Sequence, residues 1–197
     1  MAAQTTMLQC PGCGARVSID QKECDFCHNP VTISSFNSVA SMTPLQANKY
    51  AASYKQTLRE DPDNKAVNTS IAFCYLKLRM YDEAYNAFSK AIVDNFDNSE
   101  TYFYAAICLL KGKKAFLQSR PEIDKILELM NAATMIEDRG IYYYFMAYIK
   151  YDYFKRKFLN TTPNYKDYLA MAKAKGYSEL DVNTMFDVMG VEKINIV

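Results

Sequence analysis

The sequence predicts a mainly α-helical repeat protein that begins with a small cysteine-rich β module. Three observations support this fold class. Four of the six cysteines fall within the first 27 residues. From residue 65 onward the sequence resembles itself at an interval of 34 residues, and its apolar residues recur at helical spacing.

Composition excludes several other classes of protein. The chain has 197 residues, a formal net charge of +1 and a hydrophobic fraction of 50%, so wholesale disorder is not expected. This length suits one domain together with a small module. The balanced charge gives no global argument for binding nucleic acid, and the one histidine rules out a multi-histidine metal site.

The location follows from two further features of the sequence. The first nine residues lack a basic segment followed by an apolar core, so we expect no signal peptide. The best apolar run, Phe103 to Leu110, is far too short to cross a bilayer. We therefore expect a cytoplasmic protein without membrane insertion, in which cysteines more often bind metal or act in redox chemistry than form disulfides.

The four N-terminal cysteines form two CxxC pairs separated by ten residues. Each pair can direct two thiolates at one point, and two pairs supply a closed S₄ shell that suits Zn²⁺. Gly12 and Gly14 fit the tight backbone of a metal knuckle, and residues 15–19 alternate like a short strand. The predicted ligands are Cys10, Cys13, Cys24 and Cys27.

This arrangement, from Leu8 to Val31, resembles the short zinc-ribbon family and predicts a zinc-ribbon domain at residues 1–31. A thioredoxin-like redox site would need a βαβ pattern, which is absent. Disulfide bonds between these cysteines would be expected in a secreted protein, which the sequence does not predict. His28 follows Cys27 directly and could replace it as a ligand. A closed shell leaves no position for substrate, so we expect structural zinc and no catalysis there.

Residues 32–43 are uncharged and rich in serine, which is typical of a linker. Thr43 and Pro44 then predict a helix start, with Thr43 as the N-cap and Pro44 in the first turn. The helical domain is accordingly predicted at residues 44–197.

A 34-residue unit extends from Lys65 to Asn98. Its residues follow the spacing of a two-helix repeat unit. The W-x₂-L-G-x₂-Y positions of the first helix are occupied by Asn68, Ile71, Ala72 and Tyr75, and the A-x₃-F positions of the second helix by Ala84 and Phe88. The unit resembles a tetratricopeptide repeat, although Asn68 replaces the usual aromatic residue and Phe96 the usual proline.

The same spacing extends in both directions. Upstream, Tyr50 and Tyr54 align with Ala84 and Phe88, so the repeats begin with a lone second helix whose open face must be covered by the ribbon or by another subunit. Downstream, the predicted segments are a helix from Ser99, an inserted loop at Lys111 to Glu122, helices at Ile123 to Glu137, Gly140 to Phe158 and Tyr165 to Lys175, and a capping helix at Ser178 to Val188.

Cys108 lies 34 residues after Cys74. Because both occupy the same repeat position, we interpret them as buried packing residues and not as ligands or nucleophiles.

The resemblance to tetratricopeptide repeats implies a concave groove lined by the first helix of each pair and suited to a peptide or protein partner. The residues that this spacing assigns to the groove are Thr69, Phe73, Phe103, Ile107, Tyr144 and Tyr148. An aromatic stripe at helical spacing is also typical of core packing, and residues 141–149 are apolar around most of the helix.

Positive charge is concentrated in the second half of the chain, with 13 Lys and Arg against 7 Asp and Glu between residues 111 and 175. The sequence as a whole favours a non-catalytic adaptor or scaffold with structural Zn²⁺ and a protein partner. An enzyme is not expected, because no phosphate-binding loop or paired catalytic constellation is present. The alternative is a nucleic-acid-binding accessory protein that uses the ribbon and the basic loops.

Overall fold

The computed structural model describes residues 7–93 and 95–196, and the chain there is mainly helical with one small two-stranded sheet. This confirms the predicted fold class. The described helices are α1 Asn37–Ala40, α2 Pro44–Glu60, α3 Lys65–Lys77, α4 Tyr81–Ala91, α5 Ser99–Cys108, α6 Arg120–Ile136, α7 Gly140–Ile149, α8 Tyr165–Lys175 and α9 Glu179–Met189.

The chain divides into two compact units, Met1–Asn95 and Phe96–Val197. This division falls inside the predicted helical domain at 44–197, because the cysteine module and α2 to α4 pack together in the first unit. The predicted boundaries at 31 and 43 stay a prediction, and residues 1–6, Asp94 and Val197 lie outside the described residues.

The sheet of the first unit consists of β1 (Met7–Gln9) and β2 (Arg16–Ser18), which pair antiparallel with Leu8 opposite Val17. Each strand is three residues long and alternates between the two faces, so only the central side chain of each points inward. Leu8, Val17 and Val31 form a small core with the buried cysteines.

The segment predicted as a linker packs closely against α3. Ile33, Phe36 and Val39 are buried, and the segment contains the short helix α1. The hydroxyl of Ser70 on α3 accepts a hydrogen bond from the Ile33 amide at 2.8 Å and donates to the Ala66 carbonyl of its own helix at 2.7 Å. Apolar side chains at these positions explain why a serine-rich segment is ordered along the helical surface.

The helices of the first unit form consecutive hairpins, as the repeat pattern predicts. α2 begins with a capping box in which Thr43 and Gln46 satisfy each other's backbone amides, and Pro44 fills the first helical position. α3 packs against both α2 and α4. Phe73 meets Phe88 edge to face with ring centroids 5.1 Å apart, which is the favourable geometry for buried rings.

In the second unit, α5 pairs with α6 and α7 pairs with α8, while α9 contacts α5 and α7. α6 begins at Arg120 and not at the predicted Ile123, because Ser119 and Glu122 form a capping box around Pro121. α7 continues into a π-helical turn, Lys150–Phe154, and ends at Phe158.

That π-helical turn fixes the inserted loop between α5 and α6. The carboxylate of Asp152, which is 1% exposed, accepts the backbone N–H of Phe116 at 2.8 Å. The hydroxyl of Tyr148 accepts the backbone N–H of Ala115 at 3.2 Å. The insertion that interrupts the 34-residue period is therefore hydrogen-bonded to buried side chains of α7 and its π-helical turn.

Across residues 7–93 and 95–196, none of the helices combines the length and the apolar character that a membrane crossing requires.

Candidate functional site

The two cysteine pairs lie in turns with the same hydrogen-bonding pattern. In the first, the Cys10 amide donates to the Ala15 carbonyl at 2.7 Å and the Gly14 amide donates to the Cys10 carbonyl at 2.8 Å. In the second, the Cys24 amide donates to Asn29 at 2.9 Å and the His28 amide donates to Cys24 at 2.8 Å. The same knuckle geometry therefore occurs at both cysteine pairs.

Each knuckle needs a left-handed residue at its end. Gly14 has φ 83° and His28, at the equivalent position, has φ 55°, so the second knuckle carries a side chain where glycine is usual. Gly12 is required for a different reason. A Cβ atom there would lie 2.6 Å from Asn29 Nδ2 and 3.0 Å from Cys27 Sγ, so a larger residue would displace the Asn29 side chain and press on the Cys27 sulfur.

The four sulfur atoms meet at one point. Cys10 Sγ lies 3.5 Å from Cys27 Sγ, Cys13 Sγ lies 3.7 Å from Cys24 Sγ, and all four are within 4.8 Å of one another. The four cysteines are free thiols, and their sulfur–sulfur distances are well beyond the ~2.05 Å of a disulfide bond. A tetrahedral ion with metal–sulfur bonds of ~2.3 Å separates its sulfurs by ~3.8 Å, and the two sulfur–sulfur distances of 3.5 and 3.7 Å lie just below that value.

The surroundings act differently on the individual thiols. The backbone N–H of Asn29 lowers the pKa of Cys27 to about 6, whereas burial raises the pKa of Cys10 to about 11. Without a cation the group therefore does not carry four thiolates at neutral pH. A bound dication would supply the charge that allows the buried Cys10 to ionise.

His28 does not belong to this group. Its side chain is exposed, and the ligand-capable cluster found among the described residues consists of the four predicted cysteines. The sequence-based alternative that His28 replaces Cys27 is therefore not the arrangement seen here.

Three side chains of α2 hold the cysteine module. Lys49 Nζ donates to the Gly12 carbonyl at 2.6 Å, and the Ser53 hydroxyl donates to Gln9 at 2.5 Å. The buried Tyr54 hydroxyl donates to the Val31 carbonyl at 2.9 Å. The open face of the lone N-terminal helix is thus covered by the module of the same chain. Sequence analysis identified the need for a cover, but it did not identify these three residues.

The six residues assigned to a partner groove are all buried, none of them more than 8% exposed. In the first unit, Phe73 packs on Phe88, and Thr69 donates from its hydroxyl to the Lys65 carbonyl within α3. These two side chains are therefore core residues in this structure.

The other four lie in the second unit and are equally enclosed. Phe103 contacts the rings of Tyr142 and Phe145, with centroids 5.0 and 5.6 Å away, and Ile107 is fully buried. Tyr148 packs on Phe186, and Tyr144 packs on Tyr177. All six side chains are enclosed by their neighbours here, and their assignment to a partner groove stays a prediction.

No protein-family model matches the chain, and no curated protein matches it either. The solved structure of MamA MSR-1 C2 aligns with a TM-score of 0.49 and 14% sequence identity, over 77% of this chain and 73% of that chain. The mainly helical fold is established by the helices themselves, independently of this alignment.

Proposed function

We propose that this protein is a non-catalytic adaptor, in which Zn²⁺ bound by four cysteines fixes a ribbon onto a helical repeat domain that binds a protein partner. The observation that carries the proposal is the convergence of four free sulfurs within 4.8 Å, in a module hydrogen-bonded to α2. We further propose a cytoplasmic location, where a reducing environment keeps such thiols available for metal.

In this proposal Cys10, Cys13, Cys24 and Cys27 are the metal ligands. When bound, the ion joins the two knuckles and supplies folding free energy that the module's small core cannot supply. Four thiolates complete a tetrahedral shell, which leaves no position for a substrate. The ion is therefore structural, and the proposal assigns it no reaction.

The helical hairpins are assigned the partner-binding role, because paired helices present extended surfaces that suit another protein. The nucleic-acid alternative is not proposed, since no observation favours it. Between residues 7 and 31 the module carries two basic residues against three acidic ones, namely Arg16 and Lys22 against Asp20, Glu23 and Asp25.

Metal analysis of the purified full chain tests the zinc component. We expect one zinc per chain in the natural protein, loss of that zinc in Cys10→Ser and in Cys24→Ser, and its retention in Cys74→Ala, which changes a buried cysteine outside the cluster. Metal-free protein with a reactive cysteine, or loss of zinc in Cys74→Ala alone, would overturn it.

The adaptor component needs a separate experiment. The zinc-loaded chain is used to capture cross-linked proteins from cells, with the zinc-free Cys10→Ser/Cys24→Ser variant as the comparison. We expect a defined protein partner that is captured in stoichiometric amount by the natural chain. A chain that captures nucleic acid instead, or that turns over a substrate, would contradict the proposal.

A further inference from the structure

The basic residues at the end of α7 border a cleft in the second unit. It has a volume of about 690 Å³ and lies between the π-helical turn, the loop that follows Phe158 and the start of α8. Its lining combines three apolar side chains with three ammonium groups, which are Phe154, Phe158, Leu159, Lys150, Lys155 and Lys166. No Asp or Glu belongs to the lining.

Two of these ammonium groups lie over the faces of aromatic rings. Lys150 Nζ lies 4.6 Å from the centroid of the Phe154 ring and 6.0 Å from that of Tyr168. Lys155 Nζ lies 4.7 Å from the centroid of the Tyr165 ring and donates to its hydroxyl at 3.1 Å. Cation–π contacts position a charge without neutralising it, so the cleft keeps its positive potential.

Lys150 is the most enclosed of the three. Its side chain is half-buried, and it forms no salt bridge with a carboxylate among the described residues. Burial lowers the pKa of this ammonium group, because an ion removed from water is stabilised less. A carboxylate entering the cleft would meet a partly desolvated cation, for which ion pairing is stronger than at an open surface.

The apolar wall of the cleft contains an unusual residue. Phe158 is 94% exposed and has a left-handed backbone with φ 58°, where it ends the helix through the bond from the Leu159 amide to the Phe154 carbonyl. After α8 and α9 the residue at positive φ is a glycine, and after α3 and α5 it is a charged residue, Arg79 or Lys111. Among the described non-glycine residues at positive φ, Phe158 is the one with an apolar side chain. A bulky residue in this conformation costs ~1–2 kcal/mol relative to glycine.

Stability alone would therefore favour glycine at position 158. Placing a large ring there, in solvent and in a disfavoured conformation, is explained if the ring contacts something outside the chain. Leu159 is 42% exposed beside it, so two adjacent apolar side chains are presented at the edge of a positive cleft.

We propose that this cleft binds an acidic peptide segment of the partner protein, with carboxylates on Lys150, Lys155 and Lys166 and an apolar side chain against Phe158 and Leu159. The inference rests on the proposed adaptor function and gives it a partner chemistry. A peptide suits the cleft better than stacked bases, because ammonium groups already cover the faces of Phe154 and Tyr165. It also suits a concave site better than a flat lipid surface.

The test uses the zinc-loaded full chain and a fluorescent peptide of Glu residues flanking a central Phe, with binding followed by anisotropy. We expect Lys155→Glu/Lys166→Glu to weaken binding by about tenfold or more, and added salt to weaken it as well. Lys55→Glu/Lys90→Glu, which reverses two exposed charges on α2 and α4 of the first unit, is the matched control and is expected to bind like the natural chain.

Phe158→Gly tests the contribution of the ring to peptide binding without impairing the folding of the chain. It relieves the left-handed backbone, so the variant is expected to be at least as stable as the natural chain and yet to bind the peptide more weakly. Equal peptide binding by the cleft variants and the natural chain would overturn the inference. Cleft-dependent binding of poly-uridine or of phosphatidylserine vesicles in preference to the peptide would overturn it too.

The outcome also distinguishes this inference from the proposed function. If the peptide fails to bind while the chain still holds zinc and captures a protein partner, the cleft assignment is wrong and the adaptor function stands. If the peptide fails and no protein partner is captured, both are wrong.

Discussion

The hydroxyl of Tyr54 donates a hydrogen bond to the carbonyl oxygen of Val31 across 2.9 Å, and this bond joins the first helix of the helical domain to the end of the cysteine module. Both groups are buried. The bond therefore replaces water for two polar groups that would otherwise be unsatisfied.

The first prediction concerns this bond. Tyr54→Phe leaves the Val31 carbonyl oxygen without its partner and should lower the free energy of unfolding by about 1–3 kcal/mol. Denaturant unfolding followed by circular dichroism measures the change. Tyr85→Phe, which alters a half-buried tyrosine on α4, is the control and should change stability much less. Equal effects of the two substitutions would mean that the bond to the module contributes little.

The second prediction compares two glycines of the first knuckle. Gly12→Ala places a Cβ 2.6 Å from Asn29 Nδ2 and 3.0 Å from Cys27 Sγ, so it displaces the Asn29 side chain, presses on the Cys27 sulfur and should weaken metal retention against a chelator. Gly14→Ala meets no atom within 4 Å but has φ 83°, so it should cost only the backbone strain of ~1–2 kcal/mol. Competition with a chromogenic chelator ranks the variants. If Gly14→Ala loses metal more readily than Gly12→Ala, the close approach is not what constrains the site.

The third prediction concerns the inserted loop of the second unit. Asp152→Ala removes both the acceptor of the Phe116 N–H and the carboxylate that pairs with Arg156, and it should destabilise the protein by about 1–3 kcal/mol. Asp124→Ala removes an exposed carboxylate that pairs with Arg120, and its effect should stay below ~1 kcal/mol. Thermal unfolding of both variants tests this difference. Similar losses would show that the loop does not depend on Asp152.

The fourth prediction is a loss of stability in alkali. Burial raises the pKa of three tyrosines well above the ordinary value of 10.0, namely Tyr54, Tyr104 and Tyr148. Their contribution is fully present below pH 10. Above it, the unfolded chain has lost tyrosine protons that the folded chain retains, so the free energy of unfolding falls as pH rises.

Denaturant midpoints measured across this range, together with tyrosinate absorbance, test the alkaline prediction. Tyr54→Phe should show a shallower decline, because one of the three groups no longer titrates. Midpoints that stay constant well above pH 10, with full tyrosinate absorbance, would contradict it.

Local signals in the sequence predicted much of the helical structure. Thr43 and Pro44 marked the start of α2, and the Tyr165 to Lys175 pattern matched α8 at both ends. The start of α6 was missed by three residues. The capping pair Ser119 and Glu122 could have revealed it, because a Ser followed three residues later by Glu is a helix-start signal.

The cysteine cluster was predictable because CxxC pairs determine their own geometry through short turns. The groove was harder to predict, since an apolar helical face has the same sequence pattern whether a partner or the chain itself covers it. Phe103 illustrates the difficulty, because Tyr142 and Phe145 lie about 40 residues later. The π-helical turn at Lys150–Phe154 and the exposure of Phe158 likewise depend on long-range packing, which periodicity does not report.

The repeated knuckle also has a consequence for the order in which the protein assembles. Its four sulfurs come from residues 10 to 27, so gathering them closes only a short length of chain and carries a small loop-closure entropy. These residues leave the ribosome before the helices α1 to α9. With metal present, the module can therefore fold before α2 and offer the emerging helix a finished surface, which gives the proposed metal centre a role during synthesis of the chain.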